Sequence, residues 1–133
     1  MSIARSLSLF FAAGALGGFI NSLGVWLFGE LGINQALGVA IAPALSPSWL
    51  YPRIVWGGLW GLLFALPLST GWFSRGLALS LGPSLVQLLV VFPVKANKGL
   101  LGLELGAFTP VLVLLFNAVW GIVASWWLRG TRA

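Results

Sequence analysis

Charged side chains are so rare and so widely spaced that the chain divides into long apolar runs. None occurs in 6–29, 31–52, 54–74, 76–94 or 105–128. A helix advances about 1.5 Å per residue, so runs of this length reach across a hydrocarbon core of about 30 Å. Only 7% of the 133 residues are charged, whereas 59% are hydrophobic. A water-soluble domain carries about 25% charged residues. Lipid is the solvent that tolerates such a surface, because apolar side chains facing it need no burial. The expected class is therefore an all-α integral membrane protein, and its first partner is the lipid bilayer.

Four spans are expected, at about 7–28, 52–68, 76–93 and 105–128, forming one transmembrane domain over 1–133. Arg5 before the first run resembles the basic start of a signal peptide. The run continues through Trp26 and Phe28, longer than a signal core, and reads as a retained span. The second span is short, and Arg53 near its start would snorkel outward to help it fit. Ser69, Thr70 and Gly71 turn the chain, with Trp72 and Arg75 as anchors. Pro83 should kink the third span by freeing the carbonyl of Leu79. The apolar segment 36–45 is interrupted by Pro43 and reaches only about halfway through a bilayer. It reads as an interfacial helix or a re-entrant half-helix; Trp49 and Tyr51 just after it favour the interfacial form.

The basic residues Arg5, Arg53, Arg75, Lys95, Lys98, Arg129 and Arg132 punctuate the runs and do not cluster. The net charge of +5 therefore implies membrane-flank anchors and no nucleic-acid partner. Four spans place Arg5, Arg75, Arg129 and Arg132 on one side and Arg53, Lys95 and Lys98 on the other. The larger basic share puts both termini in the cytoplasm. The expected location is the inner (plasma) membrane of a prokaryotic cell, with a thylakoid equally compatible.

Small residues recur at four-residue spacing, which keeps them on one helix face. Gly14 and Gly18 mark the first span, Gly57 and Gly61 the second, Ser80 and Ser84 the third, and Gly121 the fourth. Such stripes let backbones approach closely and read as the seams of a four-helix bundle. The alternative is that some of them face a subunit partner or line a narrow path. Glu30-Leu31-Gly32 recurs as Glu104-Leu105-Gly106, and Arg53 to Gly57 recurs loosely as Asn117 to Gly121. The chain thus reads as two related helical hairpins about an axis along the membrane normal.

The polar residues of the spans add a candidate site. Asn21 and Gln87 lie at similar depth, on the order of 10 Å from the non-terminal boundary. Arg53 and Thr109 are shallower, and Asn117 lies near mid-depth. Together they outline a polar pocket rimmed by Glu30, Lys95, Lys98 and Glu104. The plainer reading is that the amides join helices, at about 0.6 kcal/mol per bond. Arg53, if it points inward, needs Glu30, Glu104 or backbone carbonyls as a partner. Trp56, Trp60 and Trp120 read as packing residues.

The chain has no Cys, His or Asp. No catalytic residue, metal site or cofactor is expected, and no enzyme activity. No ionisable residue lies mid-span, which argues against a proton-coupled pump.

Trp56-Gly57-Gly58-Leu59-Trp60-Gly61-Leu62-Leu63-Phe64-Ala65 and Arg75-Gly76-Leu77 open a stretch that continues through Pro93. Gly102-Leu103-Glu104-Leu105-Gly106, Pro110 and Asn117-Ala118-Val119-Trp120-Gly121 complete it. From Arg53 to Gly130 the chain resembles the small prokaryotic membrane proteins of the YagU-like inner-membrane family. The resemblance implies a four-helix inner-membrane protein and supplies no activity to carry over. Members often have His where this chain has Arg53 or Asn117, so a histidine-based role does not transfer. The first functional expectation is a non-enzymatic structural, assembly or accessory factor acting through helix–helix contacts, as a homo-oligomer or in a larger membrane complex. The second is an oligomeric channel or carrier for a small polar solute or anion.

Overall fold

The computed structural model describes residues 2–68 and 71–131, and the described chain is helices and connecting loops without strands. Helix α1 spans Ile3–Glu30 and α2 is a single turn at Ile33–Ala36. Helix α3 spans Pro47–Gly61 and tightens into a 3-10 turn at Leu62–Ala65. Helix α4 spans Trp72–Val86 and widens into a π-helical stretch at Gln87–Lys95. A 3-10 segment at Leu100–Leu105 precedes α5 at Thr109–Arg129. Ser69, Thr70 and Arg132, assigned above to a turn and to an anchor, lie outside the described residues.

Local chemistry explains the boundaries. Ser2 caps α1, its hydroxyl accepting from the Arg5 N–H at 3.1 Å. Gly32 at φ +76° ends the helical path beyond Glu30. Helix α3 starts earlier than expected because Pro47 falls in its first turn, where a missing N–H removes no bond. Helix α5 starts later, with Pro110 in the same favourable position. Pro83 does not end α4. The helix passes through it and changes register further on, so that the Ala96 N–H reaches the Val91 carbonyl at 2.7 Å.

Three of these helices are long and apolar enough to cross a membrane: Ile3–Glu30, Trp72–Lys95 and Thr109–Arg129. Their outward faces are apolar, as at Leu81, Leu85 and Leu89 of α4 and Val111, Leu114 and Leu115 of α5. Their inward faces mix small and polar residues with buried apolar side chains such as Phe10, Leu79, Phe116 and Trp120.

Glycines fix how the helices meet. Gly14 and Gly18 of α1 lie directly on Gly57 and Gly61 of α3. A Cβ at Gly14 would sit 2.7 Å from the Gly61 Cα, and one at Gly57 would sit 2.9 Å from the Gly18 Cα. Real Cβ atoms do not approach so closely. On the other side of the molecule, Gly76 of α4 meets Gly121 of α5 backbone to backbone, with Ser80 beside it. Between these pairs, Gly17 of α1 faces the backbone and indole of Trp120 on α5. The stripes of the sequence are thus internal contacts of a single chain.

The segment 36–45 corrects the expectation of a short helix. Only Ile33–Ala36 is helical; the chain then turns at Leu37 and Gly38 and continues without regular secondary structure to Ser46. It folds back as a strap over the end of the helices. Val39 is 1% exposed, its N–H bonds the Asn34 carbonyl at 2.8 Å, and the Ala40 N–H bonds the Leu105 carbonyl at 2.9 Å. The Asn34 side chain donates to the Ile41 carbonyl at 2.8 Å. These partners satisfy backbone groups that a half-helix would have satisfied by itself.

Replacing Gly57 by Val should destabilise the protein by about 1–3 kcal/mol, because the seam has no room for a side chain. Gly71→Ala is the control, since none of the described residues lies within 4 Å of a Cβ there. Unfolding midpoints in a detergent titration report the difference, and equal midpoints would disprove the seam.

Candidate functional site

One turn beyond the glycine seams, toward the end where α1 finishes and α3 starts, the small residues are replaced by polar ones. Residues four apart share a face. Arg53 is therefore on the seam face of α3, one turn before Gly57, and Asn117 is on the seam face of α5, one turn before Gly121. This placement corrects the expectation that Arg53 snorkels outward.

Arg53 points into the helix assembly. Its Nε donates to the Ser22 hydroxyl at 2.8 Å, and its Nη2 donates to Asn21 Oδ1 at 2.8 Å. Both acceptors are themselves anchored. The Ser22 hydroxyl donates to the Gly18 carbonyl at 2.6 Å, and the Asn21 amide donates to the Phe116 carbonyl at 2.5 Å. The indole of Trp49 lies over the guanidinium, 4.8 Å from its carbon to the ring centroid. Arg53 thus connects α3 to α1 through neutral partners. Neither Glu30 nor Glu104, the carboxylates considered for it, takes that role.

The opposite pair of helices repeats the arrangement with an amide. Asn117 Nδ2 donates to the Ser84 hydroxyl at 3.1 Å and to Gln87 Oε1 at 3.3 Å. The Ser84 hydroxyl donates to the Ser80 carbonyl at 2.8 Å. Gly14, Gly18 and Ser22 on α1 therefore match Gly76, Ser80 and Ser84 on α4 in spacing. Ser22 and Ser84 bond backward in the same way, and each accepts from the polar residue of the facing helix.

Between the two halves is a cavity of about 200 Å³. Asn21, Arg53, Gln87 and Asn117 line it, one from each of the four main helical segments, together with apolar walls from Val25, Phe92, Leu112, Val113 and Phe116. Ile41 and Pro43 of the strap and Trp49 also line it. Arg53 is the one charged residue among the lining set. The expected rim is different: Glu30, Lys95, Lys98 and Glu104 are exposed and do not line the cavity. Thr109 is fully buried at the start of α5, off the cavity, and its hydroxyl has no hydrogen-bond partner among the described residues.

Four contributors escaped the sequence reading. Ser22 had a usable signal, since it follows Gly18 at the seam spacing. Trp49 had been assigned to the membrane interface, and its position over Arg53 depends on where α3 begins. Ile41 and Pro43 had none, because the strap reaches the cavity only by tertiary contacts. Trp120 is a packing residue with an added role. Its indole N–H reaches the Gly14 carbonyl at 3.1 Å and the Gly57 carbonyl at 3.3 Å.

Compared with known proteins, the chain matches no family model, no curated protein and no solved structure. The geometry of the cavity is therefore the basis for a functional reading.

Thr109→Val should stabilise the fold by roughly 1 kcal/mol, because it replaces a buried hydroxyl without a bond by a methyl of similar shape. Thermal melting in detergent tests this. A lower melting temperature would mean that the hydroxyl has a partner.

Proposed function

We propose that the chain is a four-span membrane protein of a prokaryotic inner membrane that binds a small polar solute and carries or conducts it. The observation that supports this most is the convergence of Asn21, Arg53, Gln87 and Asn117 on one cavity. Polar groups are expensive inside a bilayer and tend to mark solute paths when they face a common space. Packing alone would favour pairing each amide fully within its own seam. Here Arg53 and Asn117 each bond within their seam and still face the shared cavity.

The proposed span by α3 rests on its continuation through the 3-10 turn to Ala65. Its inner face is covered by α1, and its outer face exposes Val55, Trp56 and Leu59, as lipid allows. The proposed hairpin repeat rests on the matched seams and matched serine bonds of α1–α3 and α4–α5. Kinship with the YagU-like family rests on the residues from Arg53 to Gly130. An accessory role through helix contacts loses its main support, since the glycine stripes are occupied inside the chain.

The natural absence of cysteine makes the topology directly testable. In sealed vesicles, Ser2→Cys, Ser74→Cys and Gly130→Cys should label from one side, and Glu30→Cys and Lys98→Cys from the other. Labelling of Ser74→Cys together with Glu30→Cys would remove α3 as a span.

For the activity, proteoliposomes would be challenged with urea, glycerol and sodium butyrate. The protein should accelerate entry of at least one, and Gln87→Leu/Asn117→Leu should reduce that rate about tenfold with the melting temperature preserved. Indistinguishable rates for the two proteins with all three solutes would refute a path through the cavity.

A further inference from the structure

Arg53 brings a full positive charge to the cavity, and no acidic side chain among the described residues lines it. Its two hydrogen bonds go to a hydroxyl and an amide oxygen. Its Nη1 group makes no hydrogen bond among the described residues. A guanidinium surrounded by apolar walls is costly without a counter-ion. Ser22 and Asn21 hold it by one edge, and Trp49 covers one face. What is left open is the rest of its planar fork, the geometry that takes both oxygens of a carboxylate at once.

The far wall has a different character. Asn117 and Gln87 are neutral and bond each other. They offer hydrogen bonds but no charge. A ligand spanning the cavity would therefore have one anionic end, an apolar middle against Val25 and Phe116, and a far end that tolerates amides. A single cation leaves a dianion half unpaired, and it repels a cation. Volume sets the size. A cavity of 150 Å³ admits benzene, so about 200 Å³ admits a molecule of roughly eight heavy atoms.

Resting on the proposed solute site, we infer that its ligand is a small water-soluble monocarboxylate, bound through Arg53. The same fork would accept the carboxylate of a fatty acid or of a serine headgroup, so the test separates the dissolved acid from a lipid source.

The full chain in phosphatidylcholine nanodiscs would be titrated calorimetrically with butyrate, butyramide and butylammonium. Butyrate should bind about tenfold or more tighter than butyramide, and butylammonium should not bind. Arg53→Gln should erase the preference for butyrate over butyramide, whereas Arg53→Lys should keep part of it. Equal binding of butyrate and butyramide to the unaltered protein would overturn the carboxylate and leave a neutral-solute site standing. Failure of all three probes to bind, with no accelerated flux of any solute, would overturn both readings. Native mass spectrometry gives the last arm. A fatty acid or phosphatidylserine retained one-to-one, and not displaced by butyrate, would overturn the dissolved acid as ligand. The comparison of butyrate with butyramide uses the unaltered chain, so a variant that fails to fold does not block the test.

Discussion

The indole N–H of Trp120 reaches two glycine carbonyls, from Gly14 on α1 and Gly57 on α3, and thereby joins three helices at one point. The contact depends on Gly17, where a Cβ would meet the indole, and on the close approach of Gly14 to Gly57. In water, burial of apolar groups would hold such helices together. In lipid the tails are as apolar as leucine, so close packing and interhelical hydrogen bonds supply the attraction. The α1–α3 seam sets the backbone distance, and Trp120 fastens α5 to it. The Gly76–Gly121 contact then attaches α4 to α5 by the same means.

The cavity follows from this seam geometry. Along each helix the small residues occupy one face, and the next position on that face is polar: Arg53 before Gly57 and Asn117 before Gly121. Having the glycine face inward commits the polar residue to point inward as well. Arg53 cannot snorkel without rotating the glycines out of contact. The cavity is thus the place where the seams stop and longer side chains hold the helices apart. Its wall includes Ile41 and Pro43 of a strap that bonds to α2 and to the Leu100–Leu105 segment. The two halves differ at one position, where one has a cation and the other an amide, so the cavity has one charged end and one neutral end.

Much of the helical layout was legible because it depends on local pattern. Charge-free runs marked α1, α4 and α5, and their ends shifted only by capping chemistry, as at Ser2 and Pro110. The seam residues were legible from four-residue spacing. Less legible was the stretch 36–45, whose apolar composition fits a short helix as well as an irregular strap. Val39 is buried because Leu105, far along the chain, offers a carbonyl to Ala40. No local signal carries that information. The pocket rim failed for a similar reason. Glu30 and Glu104 lie at the correct depth, but depth does not determine azimuth, and both face outward.

The amino-acid sequence by itself determined which helix faces carry the small residues, because the identity and spacing of residues along one helix decide its faces. It also determined that Arg53 and Asn117 would follow their glycines wherever those pointed. Only the tertiary structure decided which seams pair, with α1 on α3 and α4 on α5. It alone brought Asn21, Arg53, Gln87 and Asn117 to one cavity and left the glutamates outside it. The physical reason is that a helix face is a local property, fixed within a few residues, whereas a cavity is made by several faces whose mutual rotation is set by contacts between distant segments.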